Sequence, residues 1–233
     1  MSERISTGST ELNDLLKGGY ESDIVTMIYG GPGCGKTNLV LMAAAKMSNQ
    51  KKVIFIDTEG SFSIERFGQL CQEDKCCIDN ILIMSPTIFS EQKSAFAKLK
   101  ELTKTDSVGL IIVDSIAMLY RLEIGKTKNI QGTNRELGQQ IAYLSEIARK
   151  KKIPVIITNQ IYKDFEDKNK INIVGGDILK YWGKCLIEIR KLDDAKRVAI
   201  LRKHRSQPEN QKLYFNITNE GIKALKTENE NNN

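Results

Sequence analysis

Residues 24–30, IVTMIYG, are apolar and rich in β-branched side chains, and they run straight into the octet Gly30-Gly31-Pro32-Gly33-Cys34-Gly35-Lys36-Thr37. TNLVLMAAAKMSNQ follows with apolar residues at helical spacing and no breaker, so the octet joins a strand to a helix. This is the pattern G-x-x-x-x-G-K-[ST] in the one context that gives it meaning. Glycines are needed there because the backbone has to curl with successive N–H groups pointing inward, and a Cβ would obstruct an incoming phosphate. The helix adds its positive end. The alternative dinucleotide pattern G-x-G-x-x-G fails, since Lys36 stands where its last glycine is required.

The same alternation continues with KKVIFID (51–57), SEQKSAFAKLKEL (90–102), GLIIVD (109–114), NRELGQQIAYLSEIARKKK (134–152) and IPVIITN (153–159). Strands this uniformly apolar are buried on both faces, which predicts an α/β fold: a mostly parallel central sheet covered by helices on both sides. After Gln160 the pattern becomes period-two in CLIEIRKL, RVAILRKH and KLYFNIT, separated by turn residues, and predicts an antiparallel C-terminal extension. With 233 residues and 40% hydrophobic content, one globular core over 1–226 is expected, followed by a tail at 227–233 that lacks apolar residues and is expected to be disordered.

No apolar run approaches the roughly 18 residues of a membrane span. The N-terminus MSERISTGSTEL has no signal or transit pattern, so a cytoplasmic protein without membrane contact is expected. The five cysteines are odd in number and irregularly spaced, and read as reduced thiols. The net charge of +6 is uneven: residues 180–205 hold nine Lys and Arg against three acids, a stripe that suggests a polyanionic partner.

Chemistry follows from the strand ends. Lys36 is expected to reach the β- and γ-phosphates of a nucleoside triphosphate, and the Thr37 hydroxyl to take a position on Mg²⁺. Asp114 closes the strand LIIVD, where such a fold needs a carboxylate to hold the magnesium shell through water. Asp57-Thr58-Glu59-Gly60 follows the second strand and offers a carboxylate for water activation, and Thr158-Asn159-Gln160 ends a later strand with amides suited to sensing a phosphate. All four signals stand at carboxyl ends of strands, where open α/β sheets bind ligands.

Together these residues resemble the RecA/RadA recombinase superfamily, and within it the short archaeal paralogues. The resemblance runs through Arg4 to Ser9, LNDLLKGG (12–19), FIDTEGSFSIERF (55–67), LIIVDS (110–115), ITNQI (157–161) and VGGDILKYW (174–182), covering about residues 4–225. It implies a RecA-like P-loop ATPase core using ATP and Mg²⁺, with Glu59 as water activator and Gln160 as γ-phosphate sensor. It also implies that segments 122–133 and 161–174 correspond to the two DNA-gripping loops. The implied function is an ATP- and DNA-binding accessory protein of homologous recombination and DNA repair, with DNA, a main RadA-type recombinase and a Holliday-junction resolvase as partners, and a homodimer as a possible assembly. The chain begins directly at the core, without the helical domain and filament linker of a full recombinase, so slow hydrolysis is expected. The alternatives are a strand-exchange recombinase in its own right and a clock-protein-like signalling ATPase without nucleic acid.

The second DNA loop carries Lys163, Lys168 and Lys170 against Asp164, Glu166 and Asp167, a poor electrostatic groove for single strands. DNA contact is therefore assigned to Arg202, Lys203, His204 and Arg205, whose Lys-His-Arg triplet resembles the basic motif expected of the short paralogues. The rival assignment sends Lys203 and Arg205 across a subunit interface toward a neighbour's γ-phosphate. Arg149 to Lys152, at a helix C-terminus, complement the macrodipole and receive no function.

Overall fold

The computed structural model describes residues 3–71, 77–163, 171–193 and 195–225. A short β1 (Arg4–Ile5) and β2 (Tyr20–Glu21) flank helix α1 (Thr10–Leu15) and pair antiparallel. The alternating body follows as β3 (Val25–Gly30), α2 (Lys36–Ser48), β4 (Lys52–Asp57), α3 (Ile64–Leu70), β5 (Ile81–Met84), α4 (Phe89–Leu102), β6 (Val108–Asp114), α5 (Met118–Ile124), α6 (Ile130–Lys151) and β7 (Val155–Lys163). The chain closes with β8 (Ile171–Ile173), α7 (Gly176–Trp182), β9 (Cys185–Lys191), β10 (Lys196–Lys203), β11 (Lys212–Thr218) and β12 (Gly221–Ala224).

The main sheet runs β12-β11-β10-β9-β3-β7-β6-β4-β5, with β8 paired to β7. From β9 to β5 every neighbour is parallel, and from β9 outward to β12 every pairing is antiparallel. The expected antiparallel extension is present but starts one strand later than CLIEIRKL suggested. That segment is β9, parallel to β3, because α7 returns the chain across the sheet before β9 begins. Its five residues from Cys185 to Ile189 are all buried, and the apparent alternation came from one buried polar residue, Glu188.

Strand side chains divide between two cores. Val53, Phe55, Leu110 and Ile112 face α2 and α3, whereas Ile54, Ile56, Ile111 and Val113 face α4, α5 and α6. This two-residue alternation explains why the strands read as unbroken apolar runs. Helix α6 buries Leu137, Ile141, Leu144 and Ala148 at helical spacing. It starts four residues earlier than NRELG implies, because the Asn129 side chain accepts a hydrogen bond from the Gly132 N–H and caps it. Much of segment 122–133 is accordingly helical.

Cys71 is held in a disulfide, which corrects the reading of all five cysteines as free; Cys34, Cys77 and Cys185 are free thiols. Spacing could not disclose the bond, since a disulfide depends on how close two Cα atoms come in the fold. Among the described residues no helix is long and apolar enough to cross a membrane. The tail at 227–233 and the centre of segment 161–174 lie outside the described residues.

Candidate functional site

Strand register brings the motif residues into one line. Gly30 at the end of β3 pairs with Gln160 on β7, and Asp57 at the end of β4 pairs with Asp114 at the end of β6. In the sheet order β3-β7-β6-β4 these are neighbouring strand ends. They lie where the connection from β3 crosses to β4 and the return from β7 passes to β9, so the crevice forms at a reversal of strand order.

The glycine octet turns sharply out of β3. A Cβ on Gly30 would lie 2.2 Å from the Ile189 carbonyl oxygen, so only glycine allows β3 to pass β9 this closely. Gly35 caps α2 with φ 103°, a left-handed conformation that is costly for other residues. Gly31 and Gly33 have nothing within 4 Å of where a Cβ would stand, so the space beside the loop backbone is open there. Cys34 points the other way, into the core, and burial pushes its thiol pKa up. The Lys36 ammonium donates to the carbonyl oxygens of Gly30 at 3.1 Å and Gly31 at 2.9 Å, which holds it across the turn. Open space beside the glycines, a helix N-terminus and an anchored cation fit a polyphosphate.

Asp114 is the hub beneath this loop and is 2% exposed. Its Oδ2 accepts from the Thr37 hydroxyl at 2.7 Å and the Ser61 hydroxyl at 2.9 Å, and its Oδ1 accepts from the Thr158 hydroxyl. Burial raises its pKa, opposed by these hydroxyl donors and reinforced by the charge of Glu59. A desolvated carboxylate beside a threonine hydroxyl at a helix N-terminus is a donor set suited to a hydrated divalent cation.

Of the two carboxylates that Asp57-Thr58-Glu59-Gly60 offers, Asp57 is buried and organises the next loop. Its carboxylate accepts from the backbone N–H groups of Glu59 at 3.3 Å, Ser61 at 3.0 Å and Phe62 at 2.9 Å. Phe62 then packs edge-on to Phe55 at 5.1 Å, which pins the loop to the core. Glu59 is left on the exposed crest of that loop. The sequence signal for Asp57 was available: a carboxylate followed within five residues by small and polar positions is the pattern of a side chain capping its own turn.

Gln160 reaches across the crevice and donates from Nε2 to Glu59 Oε1 at 3.0 Å. Its neighbour Asn159 is buried, donates to the Val174 carbonyl at 2.7 Å and accepts from the Gln160 N–H. The Val174 N–H donates to the Gln160 carbonyl. The two ends of segment 161–174 are thus tied to the same strand end that carries Gln160.

The basic quartet stands elsewhere. Lys203 pairs with Leu186 at the start of β9, level with the amino end of β3. It is therefore displaced toward the sheet pole opposite the glycine loop, the poles being about 20 Å apart over a six-residue strand. Each member has an internal partner. Arg202 donates to Glu188 at 2.6 Å and to Asn210 at 2.6 Å, and Lys203 donates to the Gly183 carbonyl at 3.0 Å. Arg205 bridges Glu21 at 2.8 Å and Asp23 at 2.6 Å. The His204 imidazole is 1% exposed and lies 3.9 Å from Glu21. Burial lowers its pKa, and Glu21 only partly offsets that.

The family model described as Rad51 matches residues 2–225. A protein named DNA repair and recombination protein RadB from Methanobrevibacter smithii is 40% identical over 218 residues, covering 91% of this chain and 92% of that protein. Its namesake from Methanoculleus marisnigri is 41% identical over 227 residues, covering 96% and 99% respectively. Among solved structures, one described as a crystal structure of the RadB recombinase superposes with a TM-score of 0.80 at 32% identity, covering 95% of this chain and 100% of that one.

Proposed function

The chain belongs to the Rad51 family, and from that premise we propose that it is an ATP- and DNA-binding accessory protein of homologous recombination and DNA repair. One observation carries the reading. Lys36, Thr37, Asp114, Glu59 and Gln160 converge on neighbouring strand ends, with Thr37 and Gln160 hydrogen-bonded directly to Asp114 and Glu59.

In this reading the octet Gly30 to Thr37 holds the phosphates, with Lys36 exchanging its loop carbonyls for phosphate oxygens. Thr37 and Asp114 would hold the Mg²⁺ shell, Asp114 through water. When bound, Mg²⁺ with ATP supplies a polarised terminal phosphate. Glu59 orients a water and accepts its proton, while the Gln160 amide positions Glu59 and reports to the segment ending at Val174. Glu59 stands on an exposed crest, and water access on that side leaves hydrolysis by the isolated chain weak.

Titration calorimetry with ATP and Mg²⁺ tests the reading, and folded protein that takes up no ATP would overturn it. A main RadA-type recombinase, a resolvase and a second copy of the chain are the partners proposed, to be sought by cross-linking. A second reading, strand exchange in its own right, draws support from the solved relative, which is named a recombinase. Efficient joint-molecule formation by the purified protein would favour it over the accessory role. Absence of any salt-sensitive DNA binding would favour a signalling ATPase instead.

A further inference from the structure

The amino pole of the sheet, away from the glycine loop, carries a groove of about 980 Å³ between the C-terminal end of α6 and the end of α7. Arg149, Lys150 and Lys152 enter it from α6 and the residue capping it, Lys184 from the turn before β9, and Arg205 from beyond β10. Against these five cations the lining has two carboxylates, Asp23 and Glu146. Both are committed: Glu146 to Lys150 at 2.6 Å and Asp23 to Arg205 at 2.6 Å. Arg149 and Lys152 are exposed and form no ion pair among the described residues. Lys184 lies 5.7 Å from the Tyr181 ring centroid.

The macrodipole of α6 accounts for cations at its last turn. It does not account for the aromatic pair. Tyr181 is 72% exposed, yet its ring is braced edge-on by Trp182 at 5.8 Å, and Trp182 packs against the core. An exposed ring braced on one edge by its neighbour, beside cations that outnumber the carboxylates of the lining, combines a stacking platform with a phosphate-tracking surface.

We infer that this groove is a binding site for single-stranded nucleic acid, with Tyr181 stacking on a base and Arg149, Lys152 and Lys184 meeting consecutive phosphates. The inference rests on the DNA-binding part of the proposed function and locates it. It also explains the quartet: Arg205 is the one member that lines the groove, while its neighbours brace the strand end behind it. An acidic protein segment would use the cations, but a base offers Tyr181 a flat face of matching size along with the adjacent phosphates.

Trp182 is the only tryptophan of the chain and lines the groove, so its fluorescence reports occupancy without any substitution. A titration with labelled oligothymidylate should quench Trp182 with the same midpoint as the rise in oligonucleotide anisotropy. Arg149→Glu combined with Lys184→Glu should weaken binding about tenfold or more at low salt and flatten its salt dependence. Tyr181→Ala should weaken binding about fivefold or more while leaving the salt slope unchanged. Oligonucleotide binding with silent Trp182 and unchanged affinity in the charge-reversed protein overturns the groove and leaves DNA binding itself standing. No oligonucleotide binding by the unaltered protein overturns both. Quenching by polyglutamate but not by oligothymidylate assigns the groove to an acidic protein segment and refutes the inference.

Discussion

Gln160 Nε2 lies 3.0 Å from Glu59 Oε1, a hydrogen bond between residues 101 positions apart, carried by β7 and by the loop after β4 with β6 between them. The bond makes one unit of two groups that the sequence presents separately. Glu59→Gln is therefore expected to leave ATP affinity nearly unchanged and to lower turnover about a hundredfold, the scale of a lost general base. Adding Gln160→Ala should cost little more, because groups acting as a unit are not additive. Single-turnover phosphate release with calorimetry on the same variants checks this, and additive losses would disprove the coupling.

The Thr37 and Asp114 pair makes a separate prediction about the metal. Lys36→Ala should weaken ATP binding about a hundredfold or more, since it removes a charge-assisted contact to the phosphates. Asp114→Asn should spare binding in chelator but abolish the gain from added Mg²⁺. Equal magnesium enhancement in both proteins would remove Asp114 from the metal site.

Glu188 is 3% exposed and accepts from Arg190 at 2.5 Å and Arg202 at 2.6 Å. Burial acts to raise its pKa and is outweighed by the two guanidinium groups, which leave it lowered. Glu188→Ala strands two partly exposed arginines against the sheet and should destabilise the protein by about 2 kcal/mol. Glu188→Gln should cost less. Urea denaturation at unchanged slope reads the difference, and a neutral alanine variant would show that the network contributes only at the surface.

His204 is the only histidine, which makes its titration separable. Burial lowers its folded-state pKa, so the unfolded chain takes up a proton first as pH falls. Its contribution to stability is complete above the unfolded pKa of about 6.5 and is lost as pH drops from there through the folded value. The stability of the unaltered protein minus that of His204→Gln should decline over that window, and a flat difference would mean that the imidazole is solvated in the fold.

The strand and helix alternation, the glycine octet and the carboxylate at 114 were legible because each is written locally: two-faced burial makes apolar runs, and a phosphate loop needs contiguous glycines. Other features were not legible for the same reason. Whether β9 runs parallel depends on α7 returning the chain, which no period-two pattern records. The role of Asp57 lies in three amides that its carboxylate meets only once the loop has folded back.

The sequence by itself determined the α/β class, the strand that ends in a phosphate loop, and the kinds of side chain at the strand ends, since period and residue chemistry are properties of neighbours along the chain. Tertiary structure alone decided that Glu59 and Gln160 touch, that the Arg202 to Arg205 run is bound up in internal contacts, and that Arg149, Lys184 and Tyr181 line one groove. The physical reason is that charges and rings act through space, and the distances between β4, β7, α6 and α7 are set by sheet order and crossover, which local pattern does not encode.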